Sequence, residues 1–109
     1  MSRDYKLYLD DILDSIETIE TFTKNMSLKE FSKNRLVRDA VIRNLEVIGE
    51  ASKKIPIEIK RKYTKVEWKK ISGLRDVIAH EYFGINLEII WDIIRNKLSQ
   101  LKAAIKGIK

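Results

Sequence analysis

The chain has 109 residues, 44% of them apolar and 35% charged, with no cysteine, one proline, four glycines and a formal net charge of +6. This length predicts one domain over residues 1–109, with a real core but little stability to spare unless copies pair. The lack of cysteine excludes a disulfide scaffold, a cysteine-zinc site and a thiol nucleophile and fits a reducing cytoplasm, while no apolar run approaches the roughly 18 residues of a membrane span.

The N-terminus is expected to lead straight into an acid-rich amphipathic segment rather than a signal peptide. Apolar residues at Tyr5, Tyr8, Leu9, Ile12, Ile16, Ile19 and Phe22 follow helical spacing and predict a first helix over residues 3–24. Its acidic face makes these first 24 residues net negative, and it faces either solvent or a basic partner. Ser27-Leu28-Lys29-Glu30 has the capping-box pattern that starts a short second helix. Val37, Val41, Leu45, Ile48 and Ala51 predict a third helix from about 35 to 54, which Pro56 ends. Gly49 in mid-helix costs roughly 1 kcal/mol against alanine, which points to the close approach of another helix, across a dimer for instance. Arg43, Glu46 and Glu50 share this helix and read as structural or dimer-contact residues.

Residues 53–70 carry the whole positive excess: Lys53, Lys54, Lys60, Arg61, Lys62, Lys65, Lys69 and Lys70 face only Glu58 and Glu67. Such a run attracts a polyanion, or else forms a solvated surface. Thr64-Lys65-Val66-Glu67 is a second capping-box pattern, predicting a helix through Trp68, Ile71, Leu74 and Ile78 that Gly84 breaks. Asn86 is then the N-cap of a last helix bearing Ile89, Ile90, Ile93, Ile94, Leu98, Leu101 and Ile105. Trp68 and Trp91 read as core anchors. The fold expected is all-α, a four- to five-helix up-and-down bundle.

The segment Arg75-Asp76-Val77-Ile78-Ala79-His80-Glu81-Tyr82 holds the only histidine of the chain beside a fixed cation, a carboxylate and a phenol. Asp76 and His80 are spaced to share a helix face. Arg75 and His80, five apart, lie about 140° from each other on an ideal α-helix. They converge only if the arginine curls round, the helix ends near His80, or a second subunit contributes. Histidine moves protons near neutrality, and arginine matches phosphate oxygens and stabilises charge on a transferring phosphoryl group. The pair suits metal-free RNA cleavage, in which the ribose 2′-hydroxyl attacks the adjacent phosphate. Plainer roles are a helix-terminal cap packed on Tyr82 or Phe83 for His80, and an ion pair with Asp76 or Glu81 for Arg75. A lone histidine without partners at ligand spacing makes a metal site improbable on chemical grounds.

Arg75, four intervening residues, His80, Glu81 and Tyr82 spell R-x4-H-x-Y, and here the chain resembles the HEPN superfamily, in particular its HepT-like toxin branch. The segment Ile42-Arg43-Asn44-Leu45-Glu46-Val47-Ile48-Gly49-Glu50-Ala51 is similar to the branch's third helix, and Trp68, Ile71 and Trp91 fall where that branch has them. The likeness runs from about Tyr5 to Ile105. It implies a homodimeric helical bundle with the motif facing a cleft near the subunit interface. It implies a metal-independent endoribonuclease without a cofactor, the toxin of a type VII-like toxin–antitoxin pair. Its partner would be a minimal nucleotidyltransferase that transfers AMP onto the motif tyrosine. Arg75 and His80 are then the catalytic pair, Asp76 a supporting residue and Tyr82 the acceptor, while Lys60, Arg61, Lys62 and Lys65 offer a phosphate-attracting approach. Two alternatives remain: a non-catalytic helical partner of a nucleotidyltransferase, and plain nucleic-acid binding through residues 53–70.

Overall fold

A computed structural model describes residues 4–79 and 86–108, and every regular element among them is helical. Helix α1 (Tyr5–Thr23) starts at Asp4, whose carboxylate accepts from the Lys6 amide. It ends where Asn25 takes a left-handed φ of 62°, a conformation that asparagine tolerates better than most side-chain-bearing residues. Helix α2 (Leu28–Lys33) opens with the capping box read from the sequence: the Glu30 amide donates to Ser27 Oγ, and the Ser27 amide donates to Glu30 Oε1, both at 3.1 Å. Helix α3 (Arg35–Lys53) is capped by Asn34, whose Oδ1 accepts from the Val37 amide. Pro56 precedes α4 (Ile57–Lys62), a position where its missing N–H costs nothing.

The core lies mainly between α1 and α3, which pack against each other. Leu9, Ile12, Ile16 and Ile19 on one side and Val41, Leu45 and Ile48 on the other are fully buried. The inner face of α1 continues through Thr23 rather than Phe22. Thr23 is buried with its hydroxyl donating to the Ile19 carbonyl, and Phe22 is left 45% exposed. The three-and-four spacing that carries the face past Ile19 reaches residue 23, so Phe22 falls to the side.

The segment after α4 departs from the expected pattern. The helix does not begin at Thr64, and the second capping box does not form; α5 (Trp68–Ser72) begins four residues later without a side-chain cap. Buried Val66 and Trp68 draw the chain inward instead, the Trp68 amide bonds to the Val66 carbonyl, and the Trp68 indole donates to the Tyr63 carbonyl at 3.0 Å. The Glu67 carboxylate turns to Lys70 at 2.7 Å. The helix is also not continuous to Ile78, since Gly73 separates α5 from α6 (Leu74–Val77).

The last arm comprises α7 (Leu87–Asp92), a π-helical turn (Ile93–Lys97) and α8 (Leu98–Lys106). Asn86 stands at the expected N-cap position, yet its side chain makes no capping bond. The π turn was not legible from the apolar spacing. It contains Arg95, whose Nη2 donates to the Thr23 and Met26 carbonyls at 2.6 and 2.7 Å while the guanidinium lies 4.3 Å from the Trp91 ring centre. A cation at the C-terminal end of α1 also meets the negative end of that helix dipole. Trp91 packs on Phe31 at 5.1 Å, and Lys102 bridges α8 to Glu20 on α1 at 2.9 Å. The hydrogen bond that Lys102 donates to Glu20 raises the lysine's pKa, so one acid of the first helix serves the fold rather than an outside partner. Among the described residues, no helix is long and apolar enough to cross a membrane.

Gly49 has its close neighbour within the chain: a Cβ there would stand 3.4 Å from the Ile71 carbonyl oxygen and 3.8 Å from Leu74 Cβ. These are ordinary contact distances. Gly49→Ala should therefore recover about 0.5–1 kcal/mol of helix propensity without a clash. Gly49→Leu should lose about 1–3 kcal/mol by pushing α5 off α3. Denaturant unfolding of both variants checks the pair of signs, and a destabilised alanine variant would contradict the contact geometry.

Candidate active site

Three buried anchors hold α5 and α6 against the body. Ile71, Leu74 and Ile78 lie at three- and four-residue spacing and are at most 8% exposed. The positions between them must then face outward, and both Arg75 and Asp76 are exposed. The chain turns at Gly73 between the two short helices. Its carbonyl accepts from the Asp76 and Val77 amides, so the winding restarts there and carries Arg75 on its first turn.

The end of α3 fixes this pair of helices from below. The Ser52 side chain is fully buried; its hydroxyl donates to the Gly49 carbonyl at 2.8 Å and shares a 3.1 Å hydrogen bond with Ser72 Oγ. With the bare Cα of Gly49 beside Ile71, two independent contacts set the register of α3 on α5 and α6. That register brings Glu50 to Arg75, with Oε1 3.7 Å from Arg75 Nη1 and also 3.7 Å from Lys53 Nζ. Among the described residues the arginine pairs not with Asp76 but with a carboxylate 25 positions earlier, and the alternative partner Glu81 lies outside them. Sequence reasoning placed Glu50 on the right helix without giving it this role. The available signal was an acid directly beside a mid-helix glycine, where another helix must come close.

The basic stretch divides into two kinds of charge. Lys53 and Lys70 are paired, the latter with Glu67, whose carboxyl is held below its usual pKa by the Lys70 hydrogen bond and charge. Lys60, Arg61, Lys62 and Lys65 form no ion pair among the described residues. Lys60 lies 6.0 Å from the Trp68 ring centre and Lys62 5.7 Å from that of Tyr63, both at the outer edge of a cation–π contact. No residue of α4 is buried; Arg61 and Lys62 are exposed, and Lys60 is half-buried. Trp68 itself is 9% exposed, with its indole N–H spent on Tyr63, so its ring is no platform for stacking bases.

His80 and Tyr82 lie outside the described residues, as do Glu81, Phe83 and Gly84. Immediately before them, Ile78 and Ala79 take up π-helical winding. Among the described residues no three His, Cys, Asp or Glu side chains gather as metal ligands.

The sequence from residue 12 to 108 matches the family model described as ribonuclease HepT-like. The chain belongs to the HepT-like ribonuclease family. A Methanocaldococcus jannaschii protein named "Putative RNase" is 45% identical over 98% of this chain and 92% of its own length. "Probable ribonuclease HepT" of Thermococcus cleftensis is 37% identical over 100% of this chain and 99% of its own. A second M. jannaschii protein, named "Gamma-glutamylcyclotransferase and putative RNase", is 40% identical over 99% of this chain, which spans only 49% of that longer protein. No solved structure matches the chain.

Within this HepT-like fold, the unpaired cations of α4 and the turn after it stand one short helix away from Arg75 in the chain. Replacing Lys60, Arg61, Lys62 and Lys65 together with alanine should weaken RNA binding. It should also reduce the slope of log affinity against log salt by roughly 3. Titrations at several salt concentrations check this, and an unchanged slope would make the stretch a solvated surface only.

Proposed function

We propose that the protein is a metal-independent endoribonuclease, the toxin of a type VII-like toxin–antitoxin pair, acting in the cytoplasm as a homodimer. The observation that carries this is membership of a ribonuclease family over residues 12–108 by a chain in which R-x4-H-x-Y is complete at Arg75, His80 and Tyr82. The exposure of Arg75 supports it, as do the cations of α4, which form no ion pair among the described residues.

In the proposed reaction, His80 accepts the proton of a ribose 2′-hydroxyl as that oxygen attacks the adjacent phosphorus. The bond from phosphorus to the 5′-oxygen of the next nucleotide breaks. The leaving oxygen takes up a proton, giving a 5′-hydroxyl end and a 2′,3′-cyclic phosphate. Arg75 stabilises the charge on the non-bridging oxygens, and Asp76 is a supporting polar residue.

Control would come from a minimal nucleotidyltransferase. The Tyr82 oxygen attacks the α-phosphorus of ATP, pyrophosphate leaves, and AMP remains on the tyrosine. The added negative charge then competes for Arg75 and its bulk obstructs RNA.

Purified protein should cleave RNA in EDTA, and His80→Ala or Arg75→Ala should each slow cleavage by about 100-fold or more. Full activity in both variants would remove these residues from the mechanism. With the partner enzyme and ATP, intact mass should rise in AMP units, and the gain should vanish in Tyr82→Phe. A gain that persists there excludes this tyrosine as the acceptor.

A further inference from the structure

The geometry points to Glu50 as an internal occupant of the anion site on Arg75: its carboxylate holds the place that a phosphate diester of RNA takes, and Lys53 keeps that carboxylate when RNA arrives. The inference rests on the reading of Arg75 as a phosphate ligand and adds the group against which the phosphate competes.

Three observations carry it. First, the pairing is built into the fold. Gly49 and Ser52 flank Glu50, and each fixes α3 on α5, through the Ile71 carbonyl and Ser72 Oγ respectively. Glu50 meets Arg75 because both neighbouring contacts demand that register, whereas many exposed ion pairs follow only from side-chain wandering. Second, the pair is made to be replaced. At 3.7 Å it lies beyond hydrogen-bond reach, with the side chains 69% and 51% exposed, and Arg75 donates no hydrogen bond to a described residue. Among the described residues nothing accepts from its guanidinium donors, which can turn to an incoming oxyanion. A phosphate that accepts two parallel charge-assisted hydrogen bonds outbids a single solvent-screened ion pair. Third, the displaced carboxylate is not stranded. The same Oε1 already lies 3.7 Å from Lys53 Nζ, so losing Arg75 leaves it paired with a cation one turn along its own helix.

Glu50 thus aims the guanidinium before substrate binds and sets a modest threshold that an anion must exceed. Chloride or a lone carboxylate gains little over Glu50, while a phosphodiester also drawn by Lys60, Arg61, Lys62 and Lys65 gains enough.

The test is a double-mutant cycle in RNA affinity, measured on the full chain with a 2′-O-methyl RNA oligonucleotide that the 2′-hydroxyl reaction cannot cleave. Glu50→Gln should bind about two- to fivefold more tightly than wild type, the fold-change that an exposed ion pair of this kind is worth. In an Arg75→Ala background the same substitution should change affinity by much less. Unchanged affinity in Glu50→Gln would overturn the proposal. So would an equal gain in both backgrounds, because the carboxylate would then act as bulk negative charge and not through Arg75. Thermal unfolding of Glu50→Gln should match wild type, as the side chain is half exposed; a large loss would mean a structural role instead. Unmodified RNA incubated with wild type is scored separately: absence of cleavage counts against the ribonuclease reading, whereas the affinity cycle decides on Glu50.

Discussion

The site depends on the contact between the end of α3 and the carbonyl end of α5. At position 49 the Ile71 carbonyl oxygen lies 3.4 Å from where a Cβ would stand, close enough that only a small residue fits. The buried hydrogen bond between Ser52 and Ser72 locks the two elements in register. Gly49 costs α3 some intrinsic helix stability, and that cost is offset by the burial of Ile48, Ile71 and Leu74 around the junction. Arg75 follows from it: with Leu74 and Ile78 turned inward on an anchored frame, the residue between them must face out. A side chain meant to meet a large anion needs both a rigid base and an open end, and this junction supplies the first without closing the second.

Electrostatics then separates two roles that composition alone merges. The excess of positive charge in residues 53–70 is not uniform, since among the described residues Lys53 and Lys70 are held by carboxylates while Lys60, Arg61, Lys62 and Lys65 are not. The unpaired group lies on α4 and in the turn after it, where nothing of α4 is buried. Such charges act at long range and are screened by salt, which suits attraction rather than recognition. In the reaction we propose, recognition of the scissile phosphate falls to Arg75, which stands on the anchored part. At the far end of the bundle charge is used for the fold itself: Arg95 closes the end of α1, and Lys102 ties α8 to Glu20.

Much of this was legible in the sequence. The helices over α1 and α3, the capping box at Ser27 and the role of Pro56 follow from local chemistry, and local rules hold where no tertiary contact opposes them. They fail where one does. Thr64 and Glu67 spell a cap, but burial of Val66 and Trp68 makes a turn the better solution, and the Glu67 carboxylate finds Lys70. Gly73 was not read as a break because one glycine inside an apolar helical pattern is tolerable. The π turn around Arg95 leaves no trace in apolar spacing. The motif of Arg75, Asp76, His80 and Tyr82, on which the proposed site rests, is visible in the sequence because resemblance works on short separations. Glu50 could not, since its meeting with Arg75 exists only once α3 is laid against α6.

The most direct measurement of the central claim, metal-free attack by a neighbouring 2′-hydroxyl guided by Arg75 and His80, is the identity of the new RNA ends. Fragments produced by the purified protein in excess chelator should carry 2′,3′-cyclic phosphate on one side of the cut and 5′-hydroxyl on the other. A single 2′-deoxy substitution at the scissile nucleotide should abolish that cut. Ends bearing 5′-phosphate and 3′-hydroxyl, or cleavage that survives the 2′-deoxy substitution, would contradict the account.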